Sequence, residues 1–197
     1  MANSASQVNG LSAKSAFNGF KSFRTPDLSI EQSPDYTIAS VAVRAGQLPQ
    51  LISIFAADYG VDLPQTPKRI AGRGVAVVWA GPGLWFVVAA RGDGRDMELE
   101  LKSKLAGIAS VVDQSDSRAV LRISGKAARD TLAKGLPIDL HTSAFKPGDV
   151  AITHASHIGV IMWQMDDSPT YEIAMFRSFA DSFWHWLHDA AMSTTAK

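Results

Sequence analysis

A chain of 197 residues with 46% hydrophobic and 19% charged residues can bury a substantial core and lies far from the composition of disordered chains. Its 19 basic and 19 acidic residues cancel, so no net field draws it to a phosphate backbone, and no nucleic-acid partner is expected. The lack of cysteine removes disulfides, thiolate zinc sites, iron–sulfur clusters and cysteine nucleophiles at once.

Residues 1–35 are rich in Ser, Asn and Gly and are interrupted by Pro26 and Pro34, which predicts a flexible N-terminal arm. Its first part carries Lys14, Lys21 and Arg24 with no acidic residue, a composition shared with transit peptides, although a solvated arm is the simpler reading. There is no apolar core of a secretory signal, and no window approaches the ~20 apolar residues of a membrane span. A cytoplasmic chain with no membrane partner is expected. Phe17, Phe20 and Phe23 recur every three residues in this polar segment. The favoured expectation is that they anchor the arm on a partner; the alternative is that they fold back onto this chain's own sheet.

The folded domain is expected over residues 36–190, with a flexible tail at 191–197. TIASVAVR (37–44) reads as a strand, and Leu48, Leu51, Ile52, Phe55, Ala56 and Tyr59 then mark one face of a helix that Gly60 ends. VAVVWA (75–80) and LWFVVAA (84–90) flank Gly81-Pro82-Gly83, which predicts a hairpin. Met97, Leu101, Leu105 and Ile108 predict a second amphipathic helix. The second half repeats the grammar. ASVVDQ and AVLRISG read as strands, 126–134 as a helix, and 150–155, 158–165 and 171–176 as three further strands. A final helix is expected to pack Phe179, Phe183, Trp186 and Leu187 as its core face. VAVVWAGPGLWFVVA aligns in pattern with GVIMWQMDDSPTYEIAMF, so the halves read as a diverged repeat. Hairpins separated by helices imply an α+β fold of two similar halves with largely antiparallel sheets.

Candidate chemistry is sparse. Gly72 and Gly74 supply two glycines of a dinucleotide fingerprint, but they lead into a strand and lack the third. His154 and His157, at i and i+3 on extended backbone, can share a metal only if a turn intervenes. Asp181, His185 and His188 share one helical face that an ordinary solvated side explains. Asp113, Asp116, Asp166 and Asp167 are possible acid–base groups, the last two in a stretch before Ser168-Pro169 that reads as a turn. No catalytic, cofactor-binding or metal-binding residue is assigned from these patterns.

The stretch VVDQSDSRAVLRISGKAARDTLAKGLPIDLH (111–141) resembles sarcosine oxidase gamma subunits, and the resemblance continues through FKPGDVAITHASHIGVIMWQMDDSPTYEIAMFRSFADSFWHWL (145–187). Its most specific pieces are GLPIDLH (135–141) and FRSFADSFWHWL (176–187). The resemblance implies a structural subunit of a complex with alpha, beta and delta chains that oxidatively demethylates sarcosine to glycine. The one-carbon unit would pass to tetrahydrofolate or leave as formaldehyde, and hydrogen peroxide would form. FAD, FMN, NAD, tetrahydrofolate and zinc are then expected in the partner subunits, with none held by this chain. Such subunits are also similar to the folate-binding aminomethyltransferase fold, whose catalytic aspartate follows a glycine-containing strand start. Here the comparable run is Gly159, Val160, Ile161, Met162, Trp163, without a carboxylate. A stand-alone folate-dependent one-carbon transferase and an unrelated interaction module remain the alternatives.

Overall fold

The computed structural model describes residues 14–17, 19–92 and 96–196. In chain order the elements are β1 (Phe23–Arg24), β2 (Ser29–Gln32), β3 (Tyr36–Val43), α1 (Leu48–Ile54), β4 (Arg69–Ala71), β5 (Ala76–Gly81) and β6 (Leu84–Ala90). There follow α2 (Met97–Lys104), β7 (Ala109–Asp113), β8 (Arg118–Ser124), α3 (Ala128–Leu132), β9 (Val150–Ala155), β10 (Ile158–Asp166), β11 (Thr170–Phe176) and α4 (Ala180–Thr195). Local chemistry accounts for several of the boundaries. Pro49 sits in the first turn of α1, where no backbone donor is needed. That helix continues as one π-helical stretch, Phe55–Tyr59, and stops where Gly60 turns left-handed at φ 64°. Asp96 caps α2 by accepting from the Leu99 amide at 2.9 Å.

The strands form two antiparallel sheets, one in the order β4-β5-β6-β3-β7 and the other β1-β2-β8-β11-β10-β9. Alternation along the strands sends neighbouring side chains to opposite faces, with register breaks at Trp79–Gly81 of β5 and Gln164–Asp166 of β10. In β11, Tyr171, Ile173 and Met175 join the core beneath α3 and α4, while Ala174 faces the other sheet. Trp85, Val87 and Ala89 of β6 meet Leu51, Phe55 and Leu101 from α1, its π-helical continuation and α2. Ile38, Val78, Phe86 and Val88 of the five-stranded sheet meet Val150, Ile161 and Trp163 of the six-stranded one. The result is four layers, helices on sheet on sheet on helices, with a separate apolar core at each of the three junctions.

The α+β expectation and the repeat are both visible in the strand orders. β3 lies between β6 and β7, and β8 lies between β11 and β2. The β5–β6 hairpin thus corresponds to β10–β11, as the sequence echo predicts. Where the first half closes its sheet with β7 after α2, no strand follows α4 among the described residues. β2 takes that place, antiparallel to β8 from Ser29 opposite Ser124 to Gln32 opposite Leu121. The second half is therefore completed by chain from upstream of the first. ASVVDQ and AVLRISG, adjacent in sequence, do not pair, since β7 and β8 belong to different sheets and the chain crosses between them at 114–117.

Two expectations for the chain ends need correction. Phe17 is buried, and Phe20 and Phe23 pack against the same core. Phe20 stacks on Trp184 at 5.3 Å between ring centres and Phe23 meets the His188 ring edge-on at 5.6 Å. These aromatics cover α4 of their own chain, the alternative that was not favoured. The core face of α4 also differs: Phe183, Trp184, Leu187, Ala190 and Ala191 are buried, Trp186 is half-buried, and Phe179 is 46% exposed. Trp184 is buried because Phe20 covers it, which the helical spacing alone does not reveal.

Candidate functional site

The residues weighed for chemistry mostly have local structural roles. A Cβ on Gly72 would lie 2.3 Å from Val61 and 2.5 Å from the Tyr59 carbonyl, so this glycine permits close packing. Gly74, at φ 71°, turns the chain between β4 and β5. Asp113 accepts from the Ser115 amide at 3.0 Å, and Asp166 from the Ser168 amide at 3.0 Å, both typical aspartate turns. Burial pushes the Asp166 carboxyl upward, but hydrogen bonds from Ser168 and Thr170 outweigh it and hold it below the usual range. Asp116 pairs with Arg91 at 3.0 Å. Asp181 and His185 lie 3.6 Å apart with about three quarters of each side chain exposed, a surface pair of little energetic weight.

Among the described residues the one fully buried charged side chain is Glu172, which the sequence patterns did not single out. Glu172 is 1% exposed and lies directly opposite Arg122 of β8 and Trp163 of β10. Its Oε1 accepts from Arg122 Nη2 at 2.7 Å, Tyr36 Oη at 2.8 Å, Ser33 Oγ at 3.0 Å and Arg122 Nε at 3.3 Å. Its Oε2 accepts from Trp163 Nε1 at 2.9 Å. An ionised carboxylate can leave water at acceptable cost only when paired and bonded in this way. Burial, and then the adjacent Glu172, push the Tyr36 hydroxyl up to about 12. Burial pulls the Arg122 guanidinium down, but Glu172 outweighs it and the net direction is up. With both oxygens engaged, Glu172 ties the β2–β3 link, β3, β8, β10 and β11 together instead of offering a free base. The available signal was one acidic and one basic residue, Glu172 and Arg122, each inside an otherwise apolar strand run.

In β10, Val160 and Met162 face the helices while Ile161 and Trp163 face the other sheet. The strand that bears comparison with the aminomethyltransferase site therefore contributes packing and one indole donor.

The two most distinctive sequence pieces meet in space. The Trp186 indole lies so close to Gly135 that a Cβ there would come within 2.4 Å of Trp186 Cζ2. GLPIDLH must therefore begin with glycine for α4 to seat. Gly135, Leu136, Pro137 and Trp186 line an open depression of about 860 Å³, with His154 and His157 also on its wall. A turn does intervene between these histidines: Ser156 and His157 are both left-handed, at φ 47° and 73°, as in a tight two-residue hairpin. No cluster of three metal-ligating residues occurs among the described residues. No helix among them is long and apolar enough to cross a membrane.

The sarcosine oxidase gamma subunit family matches residues 46–193. A relative named sarcosine oxidase subunit gamma, from Arthrobacter sp, is 36% identical over 138 residues, covering 68% of this chain and 66% of that protein, a little under two thirds of its length. A heterotetrameric sarcosine oxidase from Corynebacterium sp. U-96, solved with pyrrole 2-carboxylate, contains a chain that superposes with a TM-score of 0.75 at 28% identity, covering 86% of each. Aminomethyltransferase T from Bartonella henselae superposes with a TM-score of 0.64 at 15% identity, over 82% of this chain and 45% of that one, a likeness of fold alone. On the family match and the Arthrobacter relative together, the chain belongs to the sarcosine oxidase gamma subunit family.

Proposed function

We propose that this chain is the gamma subunit of a heterotetrameric sarcosine oxidase and acts there as an assembly scaffold without catalytic residues of its own. Alpha, beta and delta chains would complete the complex and carry its flavins, nicotinamide dinucleotide, folate site and zinc. The observation that carries the reading is the state of Glu172. The carboxylate buried between the sheets is fully bonded, and the Gly159–Trp163 run, the stretch compared with the aminomethyltransferase site, adds no carboxylate of its own. Fold alone carries no activity, and a structural use of this buried acid is what a scaffold needs. Tagged chain recovered from its native host is expected to bring flavin-absorbing subunits that oxidise sarcosine, while chain purified alone is colourless and inactive. Stoichiometric flavin on the isolated chain would overturn the scaffold role, and recovery of the tagged chain without any flavoprotein would overturn the assignment to the complex.

A further inference from the structure

A cavity of about 430 Å³ opens where the start of β8, the link from β2 to β3, and the end of β6 converge. That volume lies within the range of small-molecule sites. Arg118, the first residue of β8, lies on its wall and is half-buried. Its Nε is buried without a hydrogen-bond partner, and none of the ion pairs among the described residues includes Arg118. The guanidinium is nevertheless held in place. It sits 3.7 Å from the ring centre of Phe176, its direct cross-strand neighbour, and 5.2 Å from that of Phe86 on the facing sheet. Arginine is suited to this stacking because its planar, weakly hydrated head keeps its in-plane donors available.

The other polar groups on the wall show what is still unmet. Four cationic and two acidic side chains line the cavity. Asp116 is engaged by Arg91 at 3.0 Å, and Arg177 donates to the Lys14 backbone carbonyl. Asp35 is the other acid, so the wall keeps a cationic excess centred on Arg118. Burial pulls the Arg118 guanidinium down, as expected of a cation partly removed from water without a counter-ion. Contrast Arg122, four residues along the same strand, whose charge is met by Glu172 at 2.7 Å. Alternation places both on the inter-sheet face, one with its carboxylate and one without.

We propose that Arg118 is the anchor of a binding site for a small organic carboxylate, with the planar fork donating to the anion in the cavity and the Phe86 and Phe176 rings fixing the orientation of the guanidinium. A carboxylate matches the fork with two parallel hydrogen bonds, where a spherical anion meets one point.

The test uses the full chain and sodium acetate and sodium succinate as probes, against sodium chloride at equal ionic strength. Two signals are read: the thermal midpoint, and the arginine Nε–Hε resonance assigned to Arg118 by its loss in Arg118→Lys. Both carboxylates are expected to move the resonance saturably and to raise the midpoint as a ligand of the folded state does. The rise is expected to vanish in Arg118→Gln and to fall at least about tenfold in apparent affinity in Arg118→Lys, which keeps charge but loses the fork. Lys126→Gln, at an exposed site, is expected to respond like the parent. Should Arg118→Gln fail to fold, the resonance titration of the unaltered chain still decides. Equal responses to chloride and carboxylate, or an Arg118 resonance that does not move, would overturn the proposal.

Discussion

Glu172 shows how one side chain sets the terms of a whole interface. Replacing it with alanine leaves Arg122 as an uncompensated cation between the sheets, and breaking a buried pair from one side typically costs about 3–5 kcal/mol. Urea denaturation of Glu172→Ala is expected to show a loss of that size; an unchanged midpoint would mean that water reaches the network. Tyr36 adds a dependence on pH. Its hydroxyl is raised from 10.0 to about 12 in the folded chain, first by burial and then by Glu172. The unfolded chain therefore releases this proton first, so the contribution is complete below pH 10 and is lost as pH rises toward 12. Tyr36→Phe is expected to be less stable near neutrality, having lost a bond to a charged acceptor, yet to lose less stability across that alkaline window. Denaturation midpoints at pH 8, 10 and 11 measure both effects.

The helix α4 illustrates what element-level patterns can and cannot reveal. Helical spacing correctly marks Phe183 and Leu187 as core, because both point at the six-stranded sheet beneath. It misassigns Phe179 and Trp184, since periodicity identifies one apolar stripe and this helix is covered on a second side by Phe20 and Phe23. Trp184→Ala is accordingly expected to cost about 3–5 kcal/mol, the range for a buried aromatic, and Trp186→Ala less because that ring is only partly buried. Thermal melts of the two variants side by side check the order, and the reverse order would return Trp186 to the core. The β5–β6 and β10–β11 hairpins were legible for the opposite reason. Their pairing is local, fixed by short turns and alternation within one stretch of chain.

At the scale of the molecule, the N-terminal stretch is part of the fold where it is described, from residue 14 on, and residues 1–13 of the expected arm lie outside the described residues. β2 fills the position in the second sheet that β7 fills in the first, and Phe17 is buried against the same core. Deleting residues 1–24 removes Phe17, Phe20, Phe23 and β1. Loss of a buried phenylalanine alone, at about 2 kcal/mol, corresponds to a fall of roughly 4–8 °C in the thermal midpoint for a chain of this size. A scanning-calorimetry midpoint unmoved by the deletion would show that these rings contribute nothing to the folded state and leave them for a partner.

The sequence by itself determined the fold class, the hairpins, the internal repeat and the family resemblance, because each of these is carried by residues close together in the chain. Only the tertiary structure decided which strand closes the second sheet, what covers the back of α4, and how Glu172 and Arg118 differ. Those outcomes depend on partners far away in sequence: Ser33 and Glu172 are 139 residues apart, and Tyr36 and Glu172 are 136. A charged residue in an apolar strand signals that something must meet its charge. Whether that partner lies elsewhere in the chain, as for Glu172, or must arrive from outside, as for Arg118, is settled only when the two sheets stack and bring the facing side chains together.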